Sequence, residues 1–71
     1  MKRYGNISRL VPSHGFGFLI DDHGLEWFFV AEAVRGGSFD EIWPDERVGF
    51  SEEWTVNGPR AVDVHFEMLD D

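Results

Sequence analysis

The chain has 71 residues, no cysteine, and a net charge of −8 from fourteen acidic against six basic side chains. That length holds one domain with one core, and no disulfide can supplement it. The acidic balance argues against duplex DNA as a partner, because neutralising a duplex takes a basic patch.

Met1-Lys2-Arg3 is basic, but no apolar stretch of a secretory signal follows it. No apolar run is long enough to span a membrane. A single domain over 1–71 is expected, in a reducing cytoplasm. The first strand is expected over 4–11, ending at Pro12-Ser13. The second, over 15–21, meets the third, over 26–31, through Asp22-His23-Gly24. That is a three-residue hairpin loop whose glycine can turn left-handed. Ala31-Glu32-Ala33-Val34 reads as one helical turn, and a polar loop over 35–45 contains Gly36-Gly37 and Trp43-Pro44. A fourth strand follows over 46–54, then the turn Val56-Asn57-Gly58-Pro59 and a fifth strand over 60–66. The barrel would span about 4–66 and leave an acidic tail over 67–71 that frays. Short strands between turn signals, with no long helical periodicity, make an all-β chain, a small barrel or sandwich.

Side chains alternate faces along a strand. Centring the hairpin on His23 pairs Phe18 with Phe28 and Phe16 with Val30. Phe16, Phe18, Ile20, Phe28 and Val30 then share one face, while Gly15, Gly17, Leu19, Trp27 and Phe29 share the other. Both faces are apolar, yet one small domain has one inside. Leu19, Trp27 and Phe29 find company in Ile7, Val34, Ile42, Val48, Phe50, Val62 and Val64, which suffice for a core. Phe16, Phe18 and Phe28 are then exposed, which is costly without a ligand; the reversed assignment would make them core. Gly15 and Gly17 are expected to let a ligand approach the backbone. Trp43 and Trp54 are expected to cap the barrel ends, or else to extend the exposed aromatic patch.

Catalysis and cofactor binding are not expected. No nucleophile stands beside a general base, and Gly15-x-Gly17 lies within a strand, which does not fit a dinucleotide loop. His14, His23 and His65 are too scattered for a zinc site.

Several pieces taken together resemble the cold-shock domain. They are Gly5-x-Ile7, His14-Gly15-Phe16-Gly17-Phe18-Leu19, Glu26-Trp27-Phe28-Phe29-Val30, Ala33-Val34, Phe39, Val48-x-Phe50 and Gly58-Pro59-x-Ala61-x-x-Val64. The correspondence runs without gaps over about residues 4–65. It implies a five-stranded antiparallel barrel of the oligonucleotide-binding (OB) type that binds single-stranded RNA or DNA. It also places the two ribonucleoprotein-type motifs on the second and third strands facing outward, in agreement with strand alternation. Phe16, Phe18 and Phe28 fall on the family's stacking positions, as does Phe39 in the long loop. Arg9 is expected to stack on a base or pair with phosphate. His14 is expected at the rim of the binding face, its imidazole available to stack. Lys2, Arg3 and Arg60 are expected to help hold phosphates.

Departures from the family pattern are specific. The family's first strand typically reads Lys-Trp-Phe-Asn where this chain has Ser8-Arg9-Leu10-Val11, and its usual His-Phe is Val30-Ala31 here. His14 replaces a stronger base, and Asn57 replaces another. The resemblance therefore implies weaker binding, a shorter footprint and a shallow salt dependence. The role it implies is keeping RNA unstructured and so adjusting transcription or translation. The other reading is a protein-interaction module reusing the barrel, with a basic or apolar partner or a second copy of the chain.

Overall fold

Proline and glycine decide where the extended segments stop. In a computed structural model, which describes residues 2–66, strand β1 runs over Lys2–Val11 and ends at Pro12. Pro12–His14 form a 3-10 turn closed by Gly15 in the left-handed region at φ 69°, a conformation open to glycine because it has no Cβ. Strand β2 (Phe16–Asp21) and strand β3 (Glu26–Val30) follow. Two more 3-10 turns, Ala31–Ala33 and Phe39–Glu41, interrupt the long connection. Strands β4 (Arg47–Thr55) and β5 (Gly58–Phe66) complete the chain order. The expected acidic tail, 67–71, lies outside the described residues.

The strands close into a barrel in the order β1-β2-β3-β5-β4. The all-β, five-stranded barrel is therefore present. Its strand pairs are antiparallel except at one seam, where β3 and β5 meet in parallel at Phe28 and Arg60. The β2–β3 hairpin has the register that centring on His23 requires, with Phe18 opposite Phe28 and Phe16 opposite Val30. That register turns Leu19, Trp27 and Phe29 inward, where they are fully buried with Ile7, Val48, Phe50 and Val64. Each such large apolar side chain contributes about 1.5–3 kcal/mol of burial free energy. Among the described residues, no helix is long and apolar enough to cross a membrane.

Two irregularities break the alternation that parity assumes. In β1 the register slips between Ile7 and Arg9, so that Ser8 is an extra residue opposite β2. In β5, Asp63 adopts φ 54° where the β4–β5 register shifts. Ala61 and Val64 are consequently both buried, and Val62, expected in the core, is only half-buried. A bulge adds one residue without adding a face change, which is why strict alternation fails there.

The tryptophans also differ from the expected end caps. Trp43 is 74% exposed and caps nothing. Trp54 is 63% exposed but sets its ring edge against buried Trp27 at 5.5 Å between centroids. Trp54 thus covers part of one barrel end and remains largely open to solvent.

Candidate nucleic-acid interface

The outer face of the β2–β3 hairpin carries three phenylalanines, because positions 16, 18 and 28 have the parity opposite to the core residues of the same strands. Their rings form a closed triangle. The centroids of Phe16 and Phe18 lie 5.9 Å apart, those of Phe16 and Phe28 5.6 Å, and those of Phe18 and Phe28 5.7 Å. All three are half-buried, sheltered by one another and open on the outside. Aromatic rings at such separations stabilise each other by about 0.5–1.5 kcal/mol per pair, so the platform is held in place before any ligand arrives.

Arg9 reaches this face because of the β1 bulge. Its guanidinium carbon lies 5.2 Å from the Phe18 ring centroid, a cation–π contact, and the Ser8 hydroxyl donates to the Phe18 carbonyl at 3.3 Å. His14 stands at the rim, its ring 6.4 Å from that of Phe16, with Ser13 Oγ 3.0 Å from its Nδ1. On the opposite flank Arg60 is paired with Phe28 across the parallel seam. A hollow of about 410 Å³ opens there, lined by Phe18, Phe28, Thr55, Asn57, Gly58, Pro59 and Arg60. Sequence reasoning gave site roles to the two phenylalanines and Arg60 but none to Thr55 or Pro59. Those residues reach the site only because the β4–β5 turn folds back beside β3.

Three expectations are corrected by these positions. Phe39 is 9% exposed and packs on Phe29 at 6.0 Å, so it belongs to the core and not to the platform. The cause is local. Ser38 and Glu41 form a capping box, with Ser38 Oγ accepting from the Asp40 amide and the Glu41 carboxylate accepting from the Ser38 amide. The 3-10 turn so fixed buries its first residue. Arg3 is likewise committed elsewhere. It donates to Glu52 at 2.7 Å and to Asp21 at 3.2 Å, and lies over Trp27 at 5.5 Å. The bond to Glu52 is the main reason its pKa is raised. Lys2 sits beside it around a separate hollow with Tyr4, Asp22 and His23, seven residues along β1 from Arg9 and so roughly 20 Å away. Finally, Gly17 is buried and faces inward. A Cβ there would come within 2.9 Å of the Arg9 carbonyl oxygen and 3.0 Å of Phe29. The missing side chain at Gly17 lets the strands pack, and Gly15 serves the left-handed turn.

The bases are divided by location. Arg3 pairs with carboxylates, and Arg47 forks onto Asp22 at 2.7 and 2.9 Å. Arg35 donates to the carbonyls of Glu32 and Val34. Arg9 and Arg60 flank the phenylalanine triangle, one on each side. An acidic molecule thus places two arginines beside the three neighbouring phenylalanine rings.

A solved Drosophila Unr structure, CSD456, matches this architecture with a TM-score of 0.79 over 96% of this chain. The chain has the cold-shock fold. Sequence identity to that structure is 23%, and the chain spans 27% of the solved Unr chain, about a quarter of its length. No family model and no curated protein matches the sequence. The cold-shock fold accounts for the barrel order and for the outward hairpin face, while the flanking residues are this chain's own.

Proposed function

We propose that the chain binds single-stranded RNA or DNA, with bases stacked on Phe16, Phe18 and Phe28. The observation that carries this reading is the triangle of rings on the outer hairpin face with an arginine on each side. Every base has an aromatic face, so stacking tolerates any sequence and contributes about 1–3 kcal/mol per base. Arg9 supports the site in two ways, by its cation–π contact with Phe18 and by offering a flat guanidinium to a base or a phosphate. His14 adds a ring at the rim. Phe39, Lys2 and Arg3 take no direct part. Duplex DNA is excluded from the reading on charge, since two flanking arginines cannot offset its phosphate density. The cellular role that follows is to hold RNA unstructured in the cytoplasm, with weaker affinity than a site framed by more rings and bases.

Titrating a thymidylate or uridylate heptamer at low salt while recording backbone amide shifts tests the proposal. The expected result is a set of shifts in β2 and β3 and at Arg9, His14 and Arg60, with Phe18→Ala weakening binding about tenfold or more. An unchanged spectrum at high-micromolar strand would overturn it. The net charge of −8 and the exposed Trp43 favour a second reading, a basic or apolar protein partner on the same barrel. Affinity recovery separates the two, because nuclease treatment removes the bound material only under the first.

A further inference from the structure

Stacking alone is indifferent to base identity, but one group beside the platform is not. The Arg60 Nε is covered from solvent and has no hydrogen-bond partner. Its nearest carboxylate oxygen, on Glu53, is 4.0 Å away, beyond hydrogen-bond reach. Arg3 and Arg47, by contrast, hold carboxylates at 2.7 Å. A covered guanidinium N–H without an acceptor is costly in the empty protein, so an acceptor delivered to Arg60 gains more than one delivered to an arginine already paired. Glu53 is close enough to draw the guanidinium towards β4 and too far to satisfy it.

Arg60 also has a place to receive a ring. The hollow beside it, about 410 Å³, is lined by Phe18 and Phe28 together with Thr55, Asn57 and Pro59. Such a volume falls in the range of small-molecule sites. Two aromatic walls and a guanidinium suit a flat ring that presents hydrogen-bond acceptors on one edge. Arginine carries donors only, in a planar fork. Guanine presents two adjacent acceptors, O6 and N7. Adenine sets an amino donor beside its N7, cytosine carries an amino donor on the same edge, and thymine or uracil offers one acceptor there.

We infer that this hollow is a base-identity site, in which Arg60 selects guanine by donating to O6 and N7 of a base lying against Phe18 and Phe28. The inference rests on the nucleic-acid reading and adds a preference to it. Leaving Glu53 for guanine lets the Arg60 fork turn towards the hollow, and Asn57 in its lining is available to contact the sugar or the remaining base edge.

The test compares thymidylate heptamers whose central base is thymine, guanine, adenine, cytosine or 7-deazaguanine, each titrated by fluorescence anisotropy at one fixed salt concentration. The guanine strand is expected to bind roughly tenfold more tightly than the adenine and cytosine strands. The 7-deaza strand, which lacks N7, is expected to lose most of that gain without any change to the protein. Arg60→Lys keeps the charge and removes the fork, so within that variant the guanine strand should bind no more tightly than the thymine, adenine and cytosine strands. Equal affinity for all five strands would overturn the guanine site and leave the stacking function standing. So would an Arg60→Lys chain that binds every strand more weakly in the same order, because that marks Arg60 as a phosphate contact. Failure to bind any strand would remove both proposals.

Discussion

Among the described residues, Asp21 is the buried charged side chain, and its two oxygens are surrounded by donors. The Trp27 indole donates to it at 2.9 Å, the amides of His23 and Leu25 at 2.8 and 2.9 Å, and Arg3 at 3.2 Å. Burial by itself pushes the Asp21 carboxyl up, but Trp27, Leu25, His23 and Arg3 together outweigh it and leave its pKa below the usual range. The group extends through Arg3 to Glu52. Its pKa is lowered by Arg3 and by the Trp54 indole N–H, which donates to it at 3.1 Å. Asp22 is held low mainly by its bonds from Arg47. Asp21→Ala would leave the Trp27 N–H and the Arg3 guanidinium without their acceptor, at a cost of about 3 kcal/mol. Urea unfolding followed by circular dichroism measures that loss; an unchanged midpoint would show the network to be dispensable. The acid response follows from the same three carboxylates. Their folded pKa values lie below their ordinary values of 3.8 and 4.5. Their stabilisation is therefore complete above those values and is lost as pH falls through the lower folded ones. The urea midpoint should be level near neutrality and decline below about pH 4.5, and a midpoint that rises on acidification would contradict the assignment.

At the scale of the element, β1 shows how a strand can serve both neighbours. From Lys2 to Asn6 it pairs with β4, and from Gly5 to Val11 with β2, so Gly5 sits where three strands crowd together. A Cβ on Gly5 would lie 2.5 Å from the Ile20 carbonyl oxygen. Gly5→Ala should destabilise the barrel by about 1–3 kcal/mol and lower amide protection along β1 and β2 in hydrogen exchange. Gly24→Ala is the control. Gly24 has φ 86° with nothing within 4 Å of a built Cβ, so the cost there is backbone strain of about 1–2 kcal/mol, confined to the hairpin loop. If both variants showed the same protection loss across β1, steric crowding at Gly5 would not be its cause. The Ser8 bulge belongs to this scale too, since it aims Arg9 at Phe18.

For the whole molecule the deciding quantity is where charge sits. A net charge of −8 repels phosphate at long range, while Arg9 and Arg60 attract it locally at the rings. With so few cations at the face, a plot of log binding constant against log salt for a single strand should have a slope of about −2 or shallower. A slope near −5 would mean that phosphate contacts outnumber those available on this face. With the shallow slope, stacking dominates the affinity, and replacing Phe28 by alanine should cost more than replacing Arg9.

Much of this was legible in the chain itself, for a physical reason. The hairpin around His23 alternates with period two, and a period-two pattern fixes both register and faces, so the split between Trp27 and Phe29 inside and Phe16, Phe18 and Phe28 outside follows from spacing. Short strands between turn signals allowed a small barrel or a sandwich, and the resemblance named the five-stranded barrel. Local spacing could not decide the fates of Arg9, Phe39, Arg3 or Arg60. Ile7 and Arg9 share a parity, and the bulge at Ser8, set by pairing with β2, puts one inside and the other on the platform. Phe39 sits in a connection with no strand period at all, and its burial depends on Phe29 being there to receive it. Arg3 was drawn to carboxylates distant in sequence, Asp21 and Glu52. Arg60 became the neighbour of Phe28 only when β5 closed the barrel in parallel against β3. Alternation is a property of one strand, whereas bulges, seams and ion pairs are agreements between two, and those are made only in the folded state.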